Sequence, residues 1–312
     1  MSSTVQTMFP AMGTVNSITV YDPEQKSAAE EVCSFVRSLD RKLSLFRPDS
    51  EISRFNALNG GEWTEVSEDC FAVFRESVRC AALTGGAFDI TAGPLSALWR
   101  EAIRTRQLPE EPAVRKARSL VNYRDLGLKE DRRQACLRKK EQSVDLGGIA
   151  KGYAAGRAAW ILREAGVKNA LINFGGTAGV LGEPKNVGIQ DPFRPTGEPF
   201  AVLRLQDAFA VTSGSYERGF TRDGVRRHHI IDPRSGQPSG SGLMSVTLVG
   251  THAAELDALA TAAFILGAEA ALPLLQSLAV GAVFVTETGR VLATPDLQPD
   301  LKLIHRKGIS AS

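Results

Sequence analysis

The stretch Glu255-Leu256-Asp257-Ala258-Leu259-Ala260-Thr261-Ala262-Ala263-Phe264 sets the Asp257 carboxylate and the Thr261 hydroxyl four residues apart in an apolar helical pattern. At this spacing both side chains project from one helix face. Buried polar groups without partners are costly, so each needs one. Mg²⁺, which prefers oxygen ligands, is a suitable partner. The alternative is that Asp257 accepts backbone hydrogen bonds and Thr261 bonds the carbonyl one turn earlier, and the decapeptide alone favours this alternative.

The composition is that of an ordinary globular protein. With 312 residues, of which 43% are hydrophobic and 23% charged, the chain can form one large domain or two lobes that share a cleft. Its formal net charge of +2 provides no broad positive field. We therefore expect no nucleic-acid partner and no attraction to anionic membranes.

Cysteine usage and the N-terminal sequence limit the choice of compartment. The cysteines at positions 33, 70, 80 and 136 form no CxxC pair and have no histidine at zinc-site spacing, which predicts buried free thiols. The first residues lack a signal-peptide pattern, and no segment reaches the roughly 18 continuous apolar residues of a transmembrane helix. As it stands, the sequence predicts a cytoplasmic protein without a transmembrane segment. If a leader preceded this sequence, a periplasmic or membrane-anchored location would be expected instead.

Helical patterns alternate irregularly with short strands, which predicts an α+β fold rather than a regular βαβ winding. Helices are expected over residues 50–58, 67–83 and 253–266, and the glycine turn that begins at Gly147 is expected to open a helix that runs to about Glu164. The charged segment from Arg100 to Lys116 contains Pro109 and Pro112 and is predicted to be an exposed connection. Residues 1–312 are expected to form a single domain, in which two lobes would meet near residues 100–145.

Three segments could carry chemistry. Asp145-Leu146-Gly147-Gly148-Ile149-Ala150-Lys151-Gly152 is a glycine turn that opens a helix and would suit a phosphate, although it matches neither a Walker loop nor a Rossmann fingerprint. His228-His229-Ile230-Ile231-Asp232-Pro233-Arg234-Ser235-Gly236 places two histidines beside a carboxylate and an arginine. The loop from Thr84 to Leu95 contains Asp89 and Thr91. Taken alone, the first two segments are also compatible with ordinary turns. The third is compatible with a helix C-cap followed by a helix that begins at a proline, which explains its Gly and Pro residues but not Asp89 and Thr91.

Together these segments resemble the ApbE family of flavin transferases, in order and spacing, from about Phe9 to Ala293. The matching segments are Ala11-Met12-Gly13-Thr14, Phe46-Arg47-Pro48-Asp49-Ser50-Glu51-Ile52-Ser53, Gly86-Ala87-Phe88-Asp89-Ile90-Thr91, Asp145 to Ala154, Thr212-Ser213-Gly214 with Tyr216-Glu217-Arg218, His229 to Gly236, and Asp257 to Ala262. The resemblance implies short mixed and antiparallel sheets flanked by helices, in two lobes with an FAD cleft between them.

The resemblance also implies an Mg²⁺-dependent FAD:protein FMN transferase. Such an enzyme takes FAD as substrate, joins its FMN half through a phosphoester to an exposed Thr or Ser of an acceptor flavoprotein, and releases AMP. The implied Mg²⁺ ligands are the Asp257 and Thr261 side chains and the Ala150 carbonyl. The implied catalytic residues are His229, Asp232 and Asp257. The implied FAD-lining residues are Met12, Phe46, Asp89, Thr91, Lys151, Gly175, Gly176, Thr177, Ser213 and His229.

Three residues depart from the family pattern, and two other functions remain open. Phe46 stands where Tyr is expected, Thr177 where Asp or Asn is usual, and Asn186 where Trp is usual. These changes could alter FAD affinity or acceptor docking, but they do not touch the implied metal ligands. The sequence does not separate the transferase from an Mg²⁺-dependent FAD pyrophosphatase that forms FMN and AMP. A non-catalytic FAD-binding protein is the other alternative.

Overall fold

A computed structural model describes residues 4–304 and 310–311, and its mixture of helices and mainly antiparallel strands confirms the predicted α+β class. The helices are α1 (Lys26–Leu43), α2 (Glu51–Ala57), α3 (Glu68–Leu83), α4 (Gly93–Thr105), α5 (Glu111–Ser119), α6 (Ala150–Glu164), α7 (Ala253–Leu266) and α8 (Ala268–Ser277). The strands in the first half are β1 (Val5–Ala11), β2 (Thr14–Val20), β3 (Thr64–Glu65), β4 (Leu126–Lys129) and β5 (Gln134–Leu137).

The second half of the chain contains most of the strands. They are β6 (Ala170–Phe174), β7 (Thr177–Leu181), β8 (Lys185–Gln190), β9 (Pro199–Leu205), β10 (Ala208–Gly214), β11 (Gly219–Arg222), β12 (Val225–His228), β13 (Ile231–Asp232), β14 (Gln237–Pro238), β15 (Leu243–Gly250), β16 (Gly281–Thr286), β17 (Arg290–Ala293), β18 (Leu301–Leu303) and β19 (Ser310–Ala311).

The chain divides into two compact units, and each is built from separate stretches of sequence. Unit 1 comprises Met1–Asp40, Lys151–Gly214 and Gly242–Ser312, and unit 2 comprises Arg41–Ala150 and Ser215–Ser241. The chain therefore leaves unit 1 twice and returns to it twice. The predicted site residues are distributed over both units.

Unit 1 is organised around a nine-stranded sheet with the order β1-β2-β6-β7-β10-β15-β16-β17-β19. All neighbouring pairs are antiparallel except β17 and β19, which run parallel. Helix α7 packs on β10 and β15. Because α7 is apolar around most of its circumference, it is buried along most of its length, as expected for a core helix. Asp257 is thereby carried into the interior of the unit.

A smaller sheet, with the order β18-β9-β8, also belongs to unit 1. Its apolar side chains form one core cluster with side chains of the large sheet, including Phe200 of β9, Val180 of β7 and Val283 of β16. This cluster fixes the middle strands of the large sheet, among them β7 and β10. The turns at the ends of these strands carry several of the predicted site residues.

Unit 2 contains helices α2 to α5, a three-stranded sheet with the order β3-β5-β4, and the hairpins β11-β12 and β13-β14. The exposed connection predicted over Arg100 to Lys116 is wrong, because α4 continues to Thr105 and α5 begins at Glu111. Pro112 occupies the first turn of α5, where its missing N–H costs nothing. Both helices enter a core cluster around Trp99, whose indole N–H donates to the Gly236 carbonyl at 2.8 Å.

Two further expectations concern cysteines and membrane spans. All four cysteines are buried free thiols, as predicted. Among residues 4–304 and 310–311, no helix combines the length and the apolar character that a bilayer crossing requires.

Candidate active site

Asp257 is buried in α7 and is bound by the first turn of α6. The Gly152 N–H donates to Asp257 Oδ2 at 2.9 Å, and the side chain is only 4% exposed. Gly152 is the third residue of α6, where backbone N–H groups have no partner inside the helix. The positive end of the helix dipole therefore faces a carboxylate, an arrangement that favours negative charge at Asp257. Lys151, the preceding residue, is partly exposed.

The approach of α6 to α7 depends on the missing side chain of Gly152. A Cβ atom placed there would lie 2.2 Å from the Ala253 carbonyl oxygen and 2.7 Å from Asp257 Cβ. Both neighbours belong to α7, and neither can swing aside as a flexible side chain could. Only glycine allows the two helices to approach this closely. Sequence reasoning assigned Gly152 to a phosphate-binding turn and missed this contact, although a glycine inside a helical pattern is a recognised signal of close packing.

Oxygen atoms from two elements of unit 1 meet near Asp257. The Thr261 hydroxyl lies 3.4 Å from the Ser213 hydroxyl of β10 and donates to the Asp257 carbonyl at 3.3 Å. The structure thus contains the backbone bond that the alternative interpretation assigned to Thr261. A carboxylate with two hydroxyls is a hard-oxygen donor set, which fits Mg²⁺ and not a soft metal. Within the described ranges, no group of three or more His, Cys, Asp or Glu side chains could hold a metal, so thiolate or imidazole coordination has no candidate there.

Two tight turns in unit 1 carry further predicted residues. Met12 and Gly13 join β1 to β2 with φ angles of 54° and 73°, which is the left-handed geometry of a two-residue hairpin turn. A methionine in this region is unusual and carries strain. Gly175 and Gly176 join β6 to β7, and a Cβ on Gly175 would lie 2.5 Å from Thr14 Oγ1. The backbone at Gly175 therefore comes unusually close to the Thr14 side chain.

Thr177, at the start of β7, has a buried hydroxyl. Only 1% of the residue is exposed, and within the described part of the chain its Oγ1 has no hydrogen-bond partner. The hydroxyl does not reach the surface, where a ligand could bind it. An unsatisfied buried hydroxyl of this kind costs about 1–3 kcal/mol.

In unit 2, Phe46 is an exposed aromatic residue held by an arginine. Its side chain is 73% exposed, and the Arg100 guanidinium lies 5.1 Å from the ring centroid, within cation–π range. Arg100 also forms a salt bridge of 3.1 Å with Asp145, whose second oxygen accepts the Gly147 N–H at 2.9 Å. Arg100 therefore connects the aromatic ring to the turn before α6. Sequence reasoning missed Arg100 because it lies within the segment predicted to be an exposed connection.

Asp89 and Thr91 are buried in unit 2, and their side chains bind neighbouring protein groups. Asp89 accepts the Thr91 N–H at 2.8 Å, the Thr91 hydroxyl at 2.7 Å and the Tyr123 N–H at 2.7 Å. The Thr91 hydroxyl in turn accepts the Asn122 N–H at 2.9 Å. Burial raises the pKa of the Asp89 carboxyl, while these hydrogen bonds oppose that shift. The two side chains fix the loop against residues 122–123.

The two adjacent histidines occupy different environments. His228 is buried, with Nε2 3.0 Å from the Ser239 carbonyl and Nδ1 3.3 Å from the Ile230 N–H that donates to it. Burial lowers its pKa to about 4, so the imidazole is neutral at neutral pH. His229 is partly exposed, and its Nδ1 lies 3.3 Å from the Arg218 carbonyl. His228 is thus buried against the backbone, whereas His229 is the one of the two that solvent reaches.

Asp232 is bound by an arginine of its own turn. Arg234 Nε donates to Oδ1 and Nη2 donates to Oδ2, both at 2.9 Å, in the bidentate geometry that arginine forms with carboxylates. The Arg234 N–H donates to Oδ1 as well, at 2.9 Å. This pairing raises the pKa of the guanidinium. The carboxylate of Asp232 is therefore fixed within the turn.

Comparison with known proteins places this arrangement in a family. The model of the ApbE family matches residues 12–284. The chain belongs to the ApbE family. It is 31% identical to the FAD:protein FMN transferase of Treponema pallidum over 95% of this chain and 88% of that protein. It is 32% identical to a Klebsiella pneumoniae protein of the same name over 90% of this chain and 89% of that one.

Solved ApbE structures share the fold. The ApbE protein of Thermotoga maritima superposes with a TM-score of 0.86 at 28% identity, covering 96% of this chain and 99% of that one. The apo form of the Pseudomonas stutzeri flavinyl transferase ApbE gives a TM-score of 0.83 at 28% identity, with 96% of each chain covered. The α+β fold and the ApbE resemblance predicted from the sequence are thereby confirmed.

Proposed function

We infer that this ApbE-family chain is an Mg²⁺-dependent FAD:protein FMN transferase that joins FMN through a phosphoester to a Thr or Ser of an acceptor flavoprotein and releases AMP. The observation that carries the proposal is the buried Asp257 carboxylate, which accepts the Gly152 N–H in the first turn of α6, one helical turn before the Thr261 hydroxyl that contacts Ser213. The names of its relatives support the same activity.

The proposed metal ligands are Asp257, Thr261 and the Ala150 carbonyl. Mg²⁺ bound there would neutralise charge on the FAD pyrophosphate and polarise the phosphorus that is attacked. Phosphoryl transfer requires little covalent participation by the protein, so positioning and charge neutralisation dominate. The task of the protein is therefore to hold these oxygens rigidly, and the glycine-dependent packing of α6 on α7 does so.

The proposed proton acceptor is His229. The acceptor hydroxyl would lose its proton as its oxygen bonds to the FMN phosphorus, while the P–O–P bond breaks and AMP leaves with the electron pair on its phosphate oxygen. The partly exposed imidazole of His229 can reach a bound hydroxyl, whereas both ring nitrogens of the buried His228 already contact backbone groups. Asp232 would act by positioning the turn, because its carboxylate is already bound by Arg234.

The proposed FAD-lining residues remain those of the sequence prediction, except that the buried hydroxyl of Thr177 is not proposed as a contact. The others differ in how they would act. Backbone and exposed groups, such as the Met12 turn, the Gly175-Gly176 turn and the Phe46 ring, are accessible for contact. The polar atoms of Asp89 and Thr91 already bind protein groups, so these residues would act by shaping the loop.

The decisive experiment follows both products of FAD cleavage. The purified protein is incubated with FAD, with and without Mg²⁺, together with a flavin-reductase subunit that carries an exposed Asp/Ser/Thr-rich segment. AMP release and the mass of the acceptor are measured in the same reaction. We expect Mg²⁺-dependent AMP release and an acceptor mass increased by one FMN.

Other outcomes would support the alternatives. AMP and free FMN with an unmodified acceptor would indicate a pyrophosphatase. The reference reaction uses an acceptor without Thr and Ser, with which a transferase should give these same products. Tight FAD binding without AMP release, insensitive to Mg²⁺ and to His229→Ala, would indicate a non-catalytic FAD-binding protein.

A further inference from the structure

Unit 2 contains a cavity of about 620 Å³ whose wall is rich in arginine. A cavity of this size can hold a short peptide segment or a small ligand. The lining residues are Gly85, Gly86, Asp89, Arg115, Arg118, Ser119, Val121, Asn122, Tyr123, Arg124, Pro233 and Arg234. No part of the proposed catalytic sequence uses the four arginines directly. The cavity is thus a second feature of unit 2 that requires a function.

The charge of the cavity is predominantly positive. Arg115 faces Glu111 at 3.4 Å and Arg234 is paired with Asp232, but among the described residues neither Arg118 nor Arg124 forms an ion pair with a carboxylate. Both of these arginines are exposed, and Arg124 stacks 4.6 Å from the Tyr123 ring centroid. Two guanidinium groups therefore remain available to an anion. Asp89, the one lining carboxylate, is bound by backbone N–H and hydroxyl donors.

The backbone of the wall does not form a phosphate cradle. Phosphate sites commonly use a helix N-terminus and free backbone N–H groups. Here the C-terminal part of α5 supplies Arg115, Arg118 and Ser119. This is the negative end of the helix dipole, which does not favour a bound anion. The N–H groups of residues 85–86 and 121–124 already donate to protein oxygens. The positive charge comes only from long, exposed side chains, which suits solvent-accessible carboxylates that bind and dissociate.

We propose that this cavity docks an acidic segment of the acceptor protein, through carboxylates that pair with Arg118 and Arg124. The inference rests on the proposed function, because only a transferase needs to recognise a protein. Pro233 and Arg234 belong both to the cavity and to the turn that begins after His229. A segment bound in the cavity is therefore held by the same short loop that carries the proposed proton acceptor. Arginine forms bidentate pairs with planar carboxylates, so the contact fixes the orientation of the carboxylate as well as neutralising its charge.

The test separates acceptor recognition from FAD cleavage. Arg118→Glu/Arg124→Glu is compared with wild type for FMN transfer to the reductase subunit and for FAD hydrolysis without acceptor. We expect the KM for the acceptor to rise about tenfold, with kcat for hydrolysis and the KM for FAD unchanged. Arg118→Gln/Arg124→Gln should raise the KM for the acceptor less than the Glu variant does. The KM of wild type for the acceptor should increase with ionic strength. The matched control is Arg132→Glu/Arg133→Glu, the same charge change on exposed arginines that do not line the cavity.

A second arm reverses the charge of the partner. An acceptor whose Asp residues are replaced by Lys should be modified poorly by wild type and better by Arg118→Glu/Arg124→Glu. The inference is overturned if the acceptor KM is unchanged in both arginine variants, or if the KM for FAD rises instead, which would make the cavity a nucleotide site. If wild type modifies no acceptor at all, the proposed function itself fails and the inference fails with it.

Discussion

Replacing Gly152 by alanine tests whether the packing of α6 on α7 positions Asp257. The added Cβ would lie 2.2 Å from the Ala253 carbonyl oxygen and 2.7 Å from Asp257 Cβ, against about 3.4–4 Å for ordinary contact. The helices must therefore separate by about 1 Å. Overpacking of this kind costs about 1–3 kcal/mol, from which the better helix propensity of alanine subtracts up to about 1 kcal/mol.

The functional effect of Gly152→Ala should exceed its effect on stability. A displacement of about 1 Å at a catalytic constellation can reduce turnover about 100-fold. The same displacement would lengthen the 2.9 Å bond from the Gly152 N–H to Asp257. We expect a free energy of unfolding lowered by about 1–2 kcal/mol and FAD cleavage lowered about 100-fold.

Gly156→Ala is the matched control, one turn further along the same helix. Its Cβ would lie 3.9 Å from Ala253 Cβ, which is ordinary contact. Alanine should therefore stabilise α6 by up to about 1 kcal/mol without changing activity. Denaturant unfolding and initial rates of AMP release, measured on both variants and wild type, give the two quantities. A Gly152→Ala protein with wild-type activity, or a Gly156→Ala protein as impaired as Gly152→Ala, would refute the reasoning.

Three further predictions concern single buried polar groups. Asp257→Asn keeps an oxygen that can accept the Gly152 N–H but loses the negative charge. Mg²⁺-dependent FAD cleavage should therefore fall at least about 100-fold, while the far-UV circular dichroism spectrum is unchanged. Near-normal cleavage would remove Asp257 from the metal site. Burial lowers the pKa of His228 to about 4. Between about pH 6.5 and 4 the unfolded chain therefore binds a proton that the folded chain does not, and the folded state loses stability as the pH falls. From pH 7 to 5 the free energy of unfolding should fall by about 2 kcal/mol more in wild type than in His228→Gln, and equal pH dependence in denaturant titrations would contradict the burial of a neutral imidazole. Thr177→Val removes a buried hydroxyl that has no partner among the described residues. The free energy of unfolding should therefore rise by about 1 kcal/mol, and the affinity for FAD should be unchanged. Weakened FAD binding in a calorimetric titration would show that the hydroxyl contacts the ligand.

Local pattern predicted the elements of the site better than their surroundings. Helix α7 has the predicted bounds, because an uninterrupted apolar run with an Asp and a Thr at helical spacing can be interpreted without knowledge of its neighbours. The N-caps of α2 and α3, Ser50 and Ser67, bond the N–H groups expected of capping residues. These features depend on a few consecutive residues, and the sequence contains all of them.

Features that depend on distant residues were not predictable in this way. Charge and prolines made the segment containing α4 and α5 look exposed, but packing around Trp99 stabilises both helices. His228 is buried with its Nε2 3.0 Å from the carbonyl of Ser239, eleven residues away, whereas the adjacent His229 is partly exposed. Arg100 contacts Phe46 and Asp145, each more than forty residues away in the sequence. No local periodicity encodes such pairings.

The interrupted path of the chain has a consequence for synthesis on the ribosome. All residues of unit 2 have been translated by Ser241, whereas the large sheet of unit 1 still lacks β15, β16 and β17 at that point. Unit 2 can therefore complete its core first, while β10 waits with one edge unpaired. An exposed strand edge is a site for aggregation with other chains. The nascent protein is thus most vulnerable between the emergence of β10 and that of β15, and slow translation of the intervening 28 residues, 215–242, would prolong that period.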